Sequence, residues 1–261
     1  AGVTVTEQGK FGRSEMFLNK LTEIGEMYEN DYVRSRKHAL SAHLSLKKRM
    51  LSEAIREADE RVDWLKQIGQ KFWAAYITGI KIQAHLLLGD LSGAENALKQ
   101  GEIITAQEKH IAPFYICMLR LGEFLYDLCR LEEGSQANDG ARVARYRRKA
   151  GQSGKAVIKN AKKCALGRTE ALRLMGNYCW IIGKQKKAFA WWERSIKAGL
   201  SLGAAPELAR TYFEVGKRLL ASDRKQQKFL GQSAGEYLQK ARLMFEELGL
   251  QWDMEQLSRV A

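Results

Sequence analysis

Apolar residues recur three or four positions apart along most of this chain, and the recurrence is sharpest between Leu172 and Leu220. Leu172, Met175, Cys179 and Ile182 make one stripe at helical spacing. Gly183 ends it. Ala188, Trp191, Trp192, Ser195 and Ile196 make a second stripe. Two helix–turn–helix units are predicted in this stretch. The small residues Gly176 and Ala188 let helix backbones approach, and Leu172 and Trp192 fill the space beside them. Gly176 and Gly216 lie 40 residues apart, each inside a helical pattern.

The same interval recurs upstream. Ala42, Ile82 and Gly122 are spaced by 40. A second offset, of 12, joins Ala42 to Ala54, Ile82 to Ala94 and Gly176 to Ala188. Helix pairs are therefore expected over Val33 to Gly69, over Lys71 to Glu108 with a turn at Leu88 to Gly93, and from Ala112 onward. Ser14 to Asn30 reads as one amphipathic helix with Ser14 as a cap. It stands where the second helix of a preceding pair would stand. Together with a start at Ala1, this leads us to expect a longer parent protein. Residues 1–11 lack periodicity and are expected to be disordered.

The register slips twice. Gly122 to Gly176 is 54 residues, and Ala188 to Ala241 is 53. The slips fall at turn-rich segments near 132–149 and 222–235, expected as insertions that separate the helices of a pair or lengthen them. Tyr237 to Leu248 reads as a helix stopped by Gly249. A short tail helix begins at Asp253, which with Gln256 resembles a capping box. Such a helix would cover the last core of a repeat array.

Composition agrees with an all-α chain: two prolines, few β-branched runs and plentiful Ala, Leu, Lys, Arg and Glu. The net charge of +13 suits an acidic partner. The four cysteines, at 117, 129, 164 and 179, contain no CxxC and sit in apolar helical settings, as buried thiols in a reducing compartment do. No apolar run approaches the roughly 20 residues of a membrane span, and no secretory signal is read. A cytoplasmic location is expected.

The pattern Leu172, Met175, Gly176, Cys179, Gly183, Ala188 and Trp192 resembles the tetratricopeptide repeat, a pair of antiparallel helices. Cys179 stands where that family usually has Tyr, and no Pro closes the repeat. The interval of 40 exceeds the family's length of about 34. It resembles the long-helix arrays of bacterial signalling ATPases of the MalT type. The run Ala241 to Leu257 is also similar to the end of arrays that follow ATPase and class III adenylate or guanylate cyclase domains. No G-x-x-x-x-G-K-[ST] loop is present. The resemblance implies a right-handed α–α superhelix of about five helix pairs spanning 12–261. It implies a non-catalytic protein-interaction or regulatory scaffold, the C-terminal segment of a larger signalling protein.

The chain offers two candidate surfaces. The resemblance implies a concave groove lined by the first helix of each pair. Arg173, Asn177, Trp180, Arg210, Phe213 and Lys217 would face it. Arg173 with Asn177, and Arg210 with Lys217, resemble the family's clamp for a carboxylate. The same residues also suit ordinary inter-repeat packing. The second surface is the densest charge: Arg142, Arg145, Arg147, Arg148, Lys149, Lys155, Lys159, Lys162 and Lys163, with no acid among them. Lys155, Lys159, Lys162 and Lys163 share roughly one helical face. This cluster suits an acidic protein surface, a small acidic ligand or nucleic acid, and equally a solvated helix face. Tyr146 alone is interleaved, which is poor for base stacking.

Catalytic and metal signals are weak. His38 and His43 are five apart, off the spacing that points two ligands one way. Glu53, Glu57, Asp59 and Glu60 flank Arg56 and Arg61 and read as ion pairs. No cofactor motif is read, and no enzyme activity is expected of this segment.

Overall fold

The computed structural model describes residues 1–106, 108, 110–221 and 228–260. Among them are thirteen helices and no strand. Helices pack mainly on those one or two places away along the chain. The chain divides into two compact units, one of residues 1–6 and 10–167, the other of 7–9 and 168–261.

The first unit holds α1 (Gly2–Glu7, ending across the boundary), α2 (Phe11–Met27), α3 (Asp31–Lys48) and α4 (Leu51–Gln67). It continues with α5 (Lys71–Leu87), α6 (Leu91–Ala106), α7 (Pro113–Gln136) and α8 (Gly140–Lys163). Its centre is α5, whose sequence KFWAAYITGIKIQAHLL is apolar on nearly every side. A helix of that kind must be surrounded. It packs against α3, α4, α6 and α7. Tyr76, Ile77, Ile80 and Ile82 are fully buried. Gly79 permits the crossing: an added Cβ would overlap the backbone at Met118 and Leu119 of α7. Trp73, Tyr76, Phe114 and Tyr115 form an aromatic cluster at the same crossing, with ring centroids 4.9–5.9 Å apart.

The second unit holds α9 (Arg168–Ile181), α10 (Gln185–Leu202), α11 (Ala205–Leu220), α12 (Ala234–Glu247) and α13 (Gln251–Ser258). Trp192 is its hub, fully buried among Cys179, Ala188, Ile196, Leu208, Val215 and Tyr237. The indole lies where a side chain on Gly176 would otherwise point. Its N–H donates to Asn177 Oδ1 at 3.1 Å, so the one polar atom of the hub is satisfied. Gly183 turns the chain at φ +75° between α9 and α10.

Several expectations are corrected. Residues 2–7 are helical, with Val5 and Thr6 buried, where disorder is expected from the sequence. Ser14 does not cap α2. It lies inside that helix and hydrogen-bonds Thr6. Of the two ways to absorb the first slip, the chain lengthens its helices: α7 and α8 have 24 residues each, turning at 137–139. Asp139 starts α8 by accepting from the Arg142 amide at 3.0 Å. The second slip falls partly on 222–227, outside the described residues. Its remainder carries a tight turn at Phe229–Gln232 and a capping box of Ser233 and Glu236. Asp253 does not cap α13. It is buried.

Candidate partner-binding surfaces

In the second unit, the helix register brings Arg173 on α9 and Arg210 on α11 toward carboxylates of the same chain. Arg210 is 3% exposed. Its Nε and Nη2 donate to the two oxygens of Asp253 at 3.0 and 2.7 Å, and its Nη1 donates to Glu207 at 2.8 Å. Arg173 Nη2 reaches the other Glu207 oxygen at 3.1 Å and Glu170 at 3.5 Å. Burial opposes charge on Arg210, but Asp253 and Glu207 outweigh it and raise its pKa. Burial alone would raise the Glu214 carboxyl. Arg218 (2.7 Å away) and Lys217 hold it below the usual carboxylate range.

The carboxylate clamp implied by the resemblance is thus filled from within. Asp253 takes the bidentate place on Arg210 that a partner carboxylate would need. Asn177 is spent on Trp192. Trp180 packs on Phe189 and Trp192, and Phe213 packs on Phe245. Of the six expected groove residues, Lys217 alone is exposed.

The basic cluster of the first unit differs. All nine cations lie on α8, which is about 36 Å long at 1.5 Å per residue. Its buried face is Tyr146, Ala150, Ser153, Gly154, Val157 and Ala161. The cations occupy the rest. Arg145, Arg147, Arg148, Lys149, Lys155, Lys159, Lys162 and Lys163 are exposed. Arg142 is half-buried, 3.5 Å from Glu133 and 3.4 Å from Asp139. Arg130, Arg145 and Lys149 surround the Tyr146 ring at 5.5–5.7 Å. Among the described residues, no carboxylate stands within ion-pair distance of Arg148, Lys155, Lys159, Lys162 or Lys163.

No protein-family model matches the chain, and no curated protein matches it. The site is therefore read from its own geometry.

That geometry includes a groove not legible in the sequence. α7 forms its floor, α6 one wall and α8 the other. One hollow of 640 Å³ is lined by Glu102, Thr105, Ile116, Arg120, Lys159 and Lys163, among others. A second, of 330 Å³, shares Glu102 and continues along Glu95, Glu123, Tyr126, Asp127, Arg145 and Lys149. The α8 wall is basic, the α6 wall carries Glu102 and the Glu95–Lys99 ion pair, and Arg120 pairs with Glu123 on the α7 floor. The second hollow is polar: Ser153 donates to the buried Asp127 at 2.7 Å, and Tyr126 donates to the exposed Glu95 at 3.4 Å. Burial pushes the Asp127 carboxyl up to about 6. The Glu123 charge adds to that shift, while Ser153 and Lys149 oppose it. Ile116, Arg120, Glu123 and Asp127 do sit at helical spacing. Nothing local says which helices rise on either side.

His38 bonds Glu57, His43 bonds Tyr76 and His85 bonds Asp90. Among the described residues no group of three or more His, Cys, Asp and Glu could hold a metal ion. No disulfide joins the four cysteines. Burial pushes the Cys129 thiol up to about 12, far from the thiolate that reacts. Among the described residues no helix is long and apolar enough to cross a membrane.

Proposed function

We propose that this chain is a non-catalytic interaction module that binds an acidic polypeptide along α8 and the adjoining α6–α7–α8 groove. The observation that carries the reading is the row of Arg148, Lys155, Lys159, Lys162 and Lys163, exposed on α8 without carboxylate partners among the described residues, of which Lys159 and Lys163 also line the adjoining groove. Unneutralised charge on one face is what electrostatic capture of a partner needs. The α6 wall favours one partner class. Glu102 would repel a nucleic-acid backbone entering the groove, whereas a polypeptide can present acid to α8 and base to Glu102. The single aromatic on α8, Tyr146, is buried and offers no face for base stacking.

The wider reading is a tetratricopeptide-like superhelical array acting in the cytoplasm as a regulatory segment of a larger bacterial signalling ATPase or nucleotide cyclase. It draws on the 40-residue interval and on successive first helices packing side by side within each unit, α3 on α5, α5 on α7, and α9 on α11. The partner is then a neighbouring domain or a separate acidic protein, and capture shifts the parent's activity.

Titration with a Glu-rich helical peptide and with a homopolymeric RNA, at low and high salt, tests the partner class. The peptide should bind saturably, and Arg147→Glu, Arg148→Glu and Lys149→Glu together should abolish capture. RNA binding alone, steeply lost with salt, would replace this reading with a nucleic-acid one. Failure of both ligands would sink it.

A further inference from the structure

A second cleft, apart from the α8 groove, has the chemistry of a small-molecule site. It lies between α2, α3 and α4, with a volume of 360 Å³. That is at the small end of the range for ligand pockets, about 300–1,000 Å³. α3 contributes Arg34, Lys37 and His38. α4 contributes Arg61 and Trp64, one turn apart. α2 closes the cleft with Leu21 and Gly25.

The basic groups are positioned but not exhausted. Asp31 holds Arg34 at 3.3 Å, and Glu60 holds only Nη2 of Arg61, at 3.5 Å. The Arg61 side chain is 40% exposed and lines the cleft, so its terminal nitrogens stay accessible. Among the described residues no carboxylate lies within ion-pair distance of Lys37. His38 is locked through Nδ1 to Glu57, and its ring meets Trp64 edge-on at 5.7 Å. Trp64 and Leu21 give the cleft its apolar lining. Glu26 is the one acid lining it, and it is exposed.

We propose that this cleft binds a phosphorylated ring compound of mononucleotide size. The phosphate would sit on the guanidinium ends of Arg61 and Arg34 and on Lys37, and the ring would lie against Trp64 and Leu21. An arginine fork beside a lysine point charge is how proteins hold phosphate, and an indole face suits a planar base.

Calorimetric titration of the whole chain with four ribonucleoside monophosphates, ribose 5-phosphate and inorganic phosphate tests this. The mononucleotides should bind at one site per chain, tighter than ribose 5-phosphate or inorganic phosphate. Arg61→Gln and Lys37→Gln should each weaken binding by roughly tenfold, as loss of a charged hydrogen bond does. Trp64→Leu should remove the preference for a ring while leaving inorganic phosphate binding unchanged. Lys37 is half-exposed, so its variant should keep the helical signal of the parent and remain interpretable if Arg61→Gln does not. Lys155→Glu with Lys159→Glu should leave mononucleotide affinity intact. No saturable binding at millimolar ligand would overturn the proposal. So would unchanged affinity in Lys37→Gln, or loss of binding on reversing the α8 charges instead.

Discussion

Arg210 on α11 and Lys159 on α8 are both cations on the helices of one chain, yet they do opposite things. Arg210 is enclosed, with Asp253 and Glu207 filling its fork. Lys159 is exposed beside a groove and has no carboxylate in reach among the described residues. The difference lies in what other helices bring. α13 supplies Asp253 to Arg210 from 43 residues away, and α11 supplies Glu207 to Arg173 from 34 residues away. α6 and α7 place Glu102 and Glu123 across the groove from the α8 lysines instead of against them. A buried pair fixes one packing. An unmatched row of charge keeps its field for a partner.

The largest expected effect comes from breaking the enclosed site. Arg210→Met leaves Asp253 without its bidentate partner in a dry setting, so the second unit should lose about 3–5 kcal/mol of stability. Urea denaturation followed through the unit's tryptophans measures this. A loss below about 1 kcal/mol would mean that the pair is solvated and the clamp open after all.

A mid-sized effect belongs to the groove. The folded pKa of Asp127, about 6, lies above its unfolded value, so the folded state binds the extra proton. The stability this carboxyl contributes is fully present below about pH 4 and is lost as the pH rises through 6. The cost should reach about 1–2 kcal/mol after allowance for partial solvation, and Asp127→Asn should remove the slope. Denaturation at pH 4, 5, 6 and 7 in both proteins reads it out. Parallel pH profiles in the two would refute it. Protonation also removes one negative charge from the groove, so acidic-peptide affinity should rise as the pH falls toward 5.

The smallest effect tests the open side. Lys155→Ala should change stability by no more than about 0.5 kcal/mol, because no ion pair is lost. A larger drop in melting temperature would show that the α8 face is a structural element.

Much of the fold was legible because helices declare themselves locally. The stripe from Leu172 to Ile182 and the break at Gly183 depend on near neighbours, and together with the 40-residue interval from Gly176 to Gly216 they locate α9, α10 and α11. The N-terminal helix was missed for the opposite reason. Thr6 is buried by its contact with Ser14, a tertiary partner that propensity does not see. The insertion near 132–149 looked turn-rich because Gly134, Ser135, Asn138 and Gly140 cluster there. Only 137–139 turn, and Asp139 caps α8. The sites were less legible still. Spacing on one helix picked out cations on α8 and α9 equally well. Which of them were already neutralised depended on Glu207 and Asp253, whose roles are set by packing between helices.

The most direct test matches one charge against one charge. Lys159→Glu and Lys217→Glu each reverse a single exposed lysine, one on the α8 groove and one on the α9–α11 face. Affinity for the same Glu-rich helical peptide is measured for both by calorimetry at low salt. The expected result is a loss of about tenfold for Lys159→Glu and a change within about twofold for Lys217→Glu. The reverse order would contradict the assignment of the binding surface to α8 and return it to the face that Arg173 and Arg210 support.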